Sequence, residues 1–241
     1  MVKKILLFVV FLGIAHFSQS QILISIILGD KLNSDGLEFG LDGGVNFSQI
    51  SGMESKQYAT NIHLGFYFDI RLKNQLWFNT GVLVKSSQGA SALSENDVYA
   101  LYPELDNFID SAGIYSQGLG YFNVPLMLKY KFKNHVFIEA GPQVALLINA
   151  NLNYTYEYDN VILNTSVGNR DSFNRIDAGL VGGFGYKLAK GTGINIGAKY
   201  YYGLVDISKS GTLKNRNRVF YLKVDIPIGR EKVKSNEKEL E

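Results

Sequence analysis

Ile62-His63-Leu64-Gly65-Phe66-Tyr67-Phe68-Asp69-Ile70-Arg71-Leu72 alternates without a break between large apolar side chains and a second set that contains a histidine, a glycine and two charges. In an extended chain a period of two puts the first set on one face and His63, Gly65, Tyr67, Asp69 and Arg71 on the other. A strand of this length is long enough to cross a bilayer at a tilt. Seven further stretches read the same way, at 37–47, 76–85, 121–132, 136–149, 176–188, 194–204 and 220–228, so eight strands are expected.

The connections alternate as well. Short polar turns follow the second, fourth and sixth strands, at 73–74, 133–134 and 189–192, whereas long segments follow the first, third, fifth and seventh, at 48–58, 86–118, 153–172 and 208–215. Short turns at one end, long loops at the other and an even strand number are the layout of an antiparallel up-and-down transmembrane β-barrel, which would leave both termini in the periplasm. A soluble eight-stranded barrel with apolar side chains inside is the competing architecture. Glycine placement separates the two. Gly40, Gly44, Gly65, Gly81, Gly141, Gly179, Gly183, Gly185, Gly197 and Gly203 all lie on the polar face. Small residues are needed where side chains crowd inside a narrow barrel, and on a water-facing surface glycine would only weaken the strand. If the polar face is inside, the apolar face is outside, and lipid must cover it. Phe47, Trp77, Tyr130, Phe132, Tyr186, Tyr200 and Tyr202, near strand ends, are then expected at the membrane interfaces.

Charge fixes the register. The polar faces carry Glu38, Asp42, Asp69, Glu139, Asp177 and Asp225 with Arg71, Lys85, Lys129, Lys131, Lys187, Lys199 and Lys223, and the apolar faces carry none. Slipping the strands by one residue would turn these groups toward lipid at up to about 2–4 kcal/mol each near the midplane. That sum exceeds a typical total stability of about 5–15 kcal/mol. All of these charges are expected to pair inside a filled, polar lumen.

The composition is compatible with this reading. The 241 residues include 25 Gly, 15 Tyr, 15 Phe, one Trp and no Cys, which excludes disulfides, thiolate zinc sites and cysteine nucleophiles. Mean hydropathy near zero is the average of two segregated faces. Lys3-Lys4, the apolar run Ile5 to Phe17 and the small residues Ser18 and Ser20 read as a signal peptide over 1–20. An uncleaved anchor running on to Leu28 is the alternative, but His16, Gln19, Ser20 and Gln21 interrupt it. Without Lys3 and Lys4 the 24 bases become 22, equal to the 22 acids, so no nucleic-acid partner is expected. The remainder divides into an apolar periplasmic segment 21–35, a barrel 36–229 and a charged periplasmic tail 230–241.

The chain resembles the PorT-like outer-membrane β-barrel proteins of Gram-negative bacteria that use type IX secretion. The resemblance rests on the signal ending before Gln21, on Ile24-Ser25-Ile26-Ile27-Leu28-Gly29-Asp30-Lys31-Leu32-Asn33, and on Glu38-Phe39-Gly40-Leu41-Asp42-Gly43-Gly44-Val45-Asn46. It continues through Phe122-Asn123-Val124-Pro125-Leu126-Met127-Leu128-Lys129-Tyr130, Asp177-Ala178-Gly179-Leu180-Val181-Gly182-Gly183-Phe184-Gly185-Tyr186 and Tyr200-Tyr201-Tyr202-Gly203-Leu204. It covers the whole mature chain, but its motifs are those that build a barrel. It implies an outer-membrane location and a link to protein secretion, and it brings no catalytic residues. The charged tail after the last strand departs from the usual aromatic ending.

Chemistry-bearing residues are few. With the signal removed, His63 and His135 remain; His135 falls beside the Lys133-Asn134 turn. His63 is the one catalytic candidate, since a serine such as Ser48 or Ser86 with a loop acid could complete an acyl-transfer or lipid-hydrolysis triad, although nothing in the spacing singles it out over a hydrogen-bonded lumen histidine. No metal-ligand spacing and no cofactor motif is present, so neither metal nor cofactor is expected. Function is therefore expected in the loops. Segment 86–118 carries Glu95, Asp97, Glu104, Asp106 and Asp110, and Ser94 with Asp97 is expected to cap a short helix bearing Val98, Leu101, Leu105, Phe108 and Ile109. Segment 208–218 carries Lys209, Lys214, Arg216 and Arg218, and pairing between these two oppositely charged segments is expected, with a dipolar patch for a partner as the alternative. Outer-membrane lipid, and envelope or secretion proteins bound through 86–118, 208–218 or the apolar segment 22–28, are the expected partners. An interaction or scaffold barrel is the leading reading, ahead of a lipid-modifying barrel hydrolase or acyltransferase and of a small passive pore.

Overall fold

The computed structural model describes residues 36–102, 112–159, 161–188, 193–209 and 214–228, so the expected signal peptide 1–20, the apolar segment 21–35 and the tail 230–241 lie outside the described residues. The elements are β1 (Leu37–Ser51), β2 (Ala59–Lys73), β3 (Leu76–Leu93), α1 (Glu95–Leu101), β4 (Ile114–Lys131), β5 (Val136–Tyr158), β6 (Val161–Gly168), β7 (Ile176–Lys187), β8 (Asn195–Gly203) and β9 (Arg216–Pro227). Neighbouring strands run antiparallel, and the β4–β5 and β1–β9 pairings close a ring of eight, β1-β2-β3-β4-β5-β7-β8-β9. The eight alternating stretches are the strands of this ring. β6 is additional: it pairs with the far half of β5, where a loop was expected, and forms a hairpin off the ring.

The wall is inside-out by the standards of a soluble protein. Ile62, Leu128, Leu180 and Phe184 are 54–64% exposed, whereas Tyr67, Lys129, Tyr201 and Tyr221 are at most 2% exposed. Such an outward apolar surface is stable only under lipid. Inward glycines lie where the sheet curves tightly. A Cβ on Gly44 would run into the Leu222 carbonyl of β9, and one on Gly81 into the Phe66 carbonyl of β2.

Among the β-bulges that shift the phase of the alternation, two bear on the expected lumen residues. In β3, Leu64 faces Lys85 but Gly65 faces Leu83, so one extra residue enters the strand. Val84 and Lys85 both point outward and Ser86, Gln88 and Ala90 turn inward, which removes Lys85 from the lumen. In β5 the shift between Gly120–Asn149 and Tyr121–Leu147 leaves Ile148 and Asn149 both exposed and turns Ala150 and Leu152 inward. Arg71 is a second correction: it is exposed at the short-turn rim, with its guanidinium carbon 4.8 Å from the centroid of the Trp77 ring. Trp77 itself is buried inside the wall rather than at a lipid interface, with Lys131 Nζ 3.9 Å from its ring.

Beyond the bulges the lumen changes character. Ile50, Leu93, Leu119, Tyr121, Leu147 and Leu152 form an apolar core at the long-loop end, joined by Met53, Val98, Leu101, Phe173 and Ile207. The polar lumen expected from the sequence therefore occupies the short-turn half and the middle of the barrel, and an apolar plug occupies the rest.

Candidate functional site

At the short-turn end the inward charges form a network of ion pairs, the longest chain running Lys131–Asp69–Lys129–Glu139–Lys223–Asp225. Lys129 Nζ lies 3.1 Å from both Asp69 oxygens and 3.4 Å from Glu139, and Lys131 reaches Asp69 at 2.7 Å. Lys223 bridges Glu139 at 2.9 Å and Asp225 at 3.2 Å, Lys199 pairs with Asp42 at 3.2 Å, and Lys187 with Glu38 at 3.0 Å. Tyr67 donates its hydroxyl to Glu38, and the Asn79 amide donates to Asp69. Every cation in this network faces a carboxylate, which is the condition for burying charge at tolerable cost. Asp177 stands apart from it, one layer up, where it accepts a hydrogen bond from Asn217 at 2.8 Å.

The middle of the lumen is a layer of amides and hydroxyls. Asn123 donates to Ser86 Oγ at 2.9 Å and to the Tyr221 hydroxyl at 3.3 Å, and Gln88 donates to the same hydroxyl at 3.2 Å. His63 sits at the lower edge of this layer, 2% exposed, with Nε2 3.3 Å from Asp42 and its ring edge-on to Tyr221. Ser86 lies opposite His63 in register, but its hydroxyl is engaged by Asn123, and Ser48 donates to the Ala59 carbonyl. Among the described residues no hydrogen bond joins Ser48 or Ser86 to His63, and all three side chains are buried in the lumen. His135 is exposed at its turn. Among the described residues no three His, Asp or Glu side chains converge as a metal site.

The long-loop mouth is built by capture of the loops. Ser94 caps α1 and Asp97 closes the capping box, as the spacing predicts. Asp97 does more than cap: its carboxylate also accepts from the backbone N–H of Glu54 at 2.7 Å and of Ser55 at 2.9 Å, which ties the β1–β2 loop to the helix. Val98 and Leu101 turn down into the apolar core, whereas Leu105, Phe108 and Ile109 lie outside the described residues. Phe173, from the β6–β7 connection, and Ile207, from the β8–β9 loop, are both fully buried in the same core. Each of the four long connections thus sends a side chain into the plug, with Met53 supplying the first. Sequence reasoning missed Met53, Phe173 and Ile207, because isolated apolar residues in polar loops carry no periodicity.

Two features remain outside the plug. The β5–β6 hairpin is exposed along the whole of β6, where Val161, Ile162, Leu163 and Val167 are 55–59% exposed. Glu104, Asp106 and Asp110 of the acidic segment lie outside the described residues, and the ion pairs among the described residues are those of the lumen. Asp97 is taken by backbone amides, Lys209 donates to the Asp171 carbonyl, and Arg218 donates to the Gly203 carbonyl at 2.7 Å.

Several solved outer-membrane structures are similar to this chain at low identity. They include Ail, the attachment invasion locus protein of Yersinia pestis, with 9% identity, a TM-score of 0.44 and coverage of 81% of this chain and 100% of that one. Neisserial surface protein A has 12% identity and a TM-score of 0.40, with coverage of 81% and 100%. OprG from Pseudomonas aeruginosa has 15% identity and a TM-score of 0.35, with coverage of 80% and 93%. No curated protein matches the chain. The family model for the outer membrane protein β-barrel domain matches residues 17–209, most of the ring described above, and the chain belongs to that family of outer-membrane β-barrels.

Proposed function

We propose that this protein is an interaction or scaffold barrel of the cell envelope, working through the surface of its long-loop end rather than through its lumen. The observation that carries this reading is the plug: four separate connections insert Met53, Val98, Leu101, Phe173 and Ile207 into one apolar core above a buried ion-pair network. A lumen filled in this way is no conduit, and the exposed groups on offer are the β5–β6 hairpin and the rim. In this reading the short turns and both termini face the periplasm and the long loops face outward. A link to protein secretion rests on the resemblance to the PorT-like family.

The test is site-specific photocrosslinking from Ile162 and Leu163 in native membranes, combined with affinity isolation of the tagged protein. A discrete crosslinked protein, lost when residues 157–163 are replaced by a short turn, supports the scaffold reading. A barrel that isolates alone and conducts ions at porin level in planar bilayers would overturn it.

A further inference from the structure

The outward column of β9 changes chemistry at one level. Ile226, Val224, Leu222 and Phe220 are apolar and 39–45% exposed, and the next two outward positions toward the long loops are Arg218 and Arg216. Arg218 lies opposite Tyr202 on β8 and Gln49 on β1, so it belongs to the outer wall and not to the lumen. Its guanidinium carbon is 3.6 Å from the centroid of the Tyr202 ring, and its Nη1 donates to the carbonyls of Gly203 at 2.7 Å and Asn217 at 2.9 Å. Arg218 is itself largely covered, at 8% exposure, with its charged group held against the outer wall just above the apolar belt, and Arg216 beside it is half-buried. Lys214, exposed, precedes the pair.

These cations differ from those of the lumen. Lys129, Lys131, Lys187, Lys199 and Lys223 each lie within 3.4 Å of a carboxylate, but among the described residues no acid is in ion-pair contact with Lys214, Arg216 or Arg218. A guanidinium fixed where an apolar wall meets the head-group layer takes its counter-ion from that layer, and arginine matches phosphate through paired N–H donors.

We infer that Arg216 and Arg218 hold the phosphate of an anionic lipid in the leaflet next to the long loops. This rests on the outward wall being lipid-covered, and the identity of the leaflet rests on the orientation proposed above. A lipid rather than a free anion is the occupant, because Phe220 and Leu222 directly below the site offer acyl chains an apolar track. Arg216 is the more open donor, Arg218 the fixed and largely covered guanidinium beside it, and Lys214 a supplementary exposed charge.

The experiment uses the full protein in detergent micelles doped with phosphatidylglycerol or phosphatidylcholine, with bound lipid counted by native mass spectrometry and folding followed by heat-modifiable gel mobility. At roughly 1 kcal/mol per basic residue near an anionic surface, each single variant, Arg216→Gln or Arg218→Gln, should lose about five-fold in phosphatidylglycerol retention, and the double variant about 25-fold. Phosphatidylcholine retention should be unchanged, and so should phosphatidylglycerol retention in Lys133→Gln, at the other end of the barrel. If the double variant does not fold, the singles and Arg218→Lys, which keeps the charge but loses the fork, carry the comparison. Equal retention by wild type and folded variants overturns the inference and leaves the barrel reading intact. Competition by inorganic phosphate at the same concentration would overturn the lipid assignment. Protein that inserts into neither micelles nor vesicles would sink the barrel reading itself.

Discussion

Lys129 Nζ lies 3.1 Å from both carboxylate oxygens of Asp69, with each side chain fully withdrawn from solvent. The two residues are sixty positions apart in sequence and are brought together by the adjacency of β2, β3 and β4 around the ring. Lys129→Met removes the cation that Asp69 and Glu139 share and strands buried negative charge. The loss should be about 3–5 kcal/mol in reversible urea unfolding from vesicles. Adding Asp69→Asn should recover part of it, and equal instability of single and double variants would show that the coupling is absent.

Asp97 is the hub of the plug. Asp97→Ala removes the capping-box acceptor together with two hydrogen bonds to the β1–β2 loop. A cap alone is worth about 0.5–2 kcal/mol, so local opening is expected while the ring stays folded. Limited proteolysis should gain cleavage at residues 52–58 and 94–102, with heat-modifiable mobility retained. Protection equal to wild type would show that Asp97 does not hold the mouth closed.

Gly44 and Gly43 are neighbours with opposite tolerance. A side chain at Gly44 meets the Leu222 backbone carbonyl across the β1–β9 seam, whereas a Cβ at Gly43 approaches the flexible end of Leu64 at 3.3 Å and the His63 carbonyl at an ordinary contact distance of 3.6 Å. Gly44→Val should block closure of the ring and sharply reduce the folded fraction in refolding assays, since neither backbone can yield without breaking the ladder. Gly43→Ala should refold to within a few tenths of wild-type yield, and equal yields of the two variants would contradict the crowding.

His63 is enclosed by Asp42 and Tyr221 on the inner wall. His63→Ala should leave the phospholipid and lipid A profiles of the host membrane unchanged. Loss of a specific lipid modification in that variant would revive the enzyme reading.

The ring was legible in the sequence because a two-residue period is a local property of the chain. Stretches such as 62–70 and 121–131 keep their phase from end to end, and the structure uses them in that phase. Lys85 was misplaced because it follows an extra residue in its strand, and alternation read from either side of a bulge gives opposite faces. The capping of α1 by Ser94 could be read locally as well, whereas the grip of Asp97 on Glu54 and Ser55 could not, since it spans two loops.

The sequence by itself determined the number of strands in the ring, the face turned to lipid and the burial of most of the charges, because misplacing an ionised group in hydrocarbon outweighs any local preference. Only the tertiary structure decided how those charges pair and where the polar lumen gives way to an apolar plug. It also decided that Arg218 is pinned on Tyr202 outside the wall and donates to the Gly203 carbonyl. These outcomes depend on the register between strands distant in sequence and on loops that close over the barrel end, and no local periodicity encodes either.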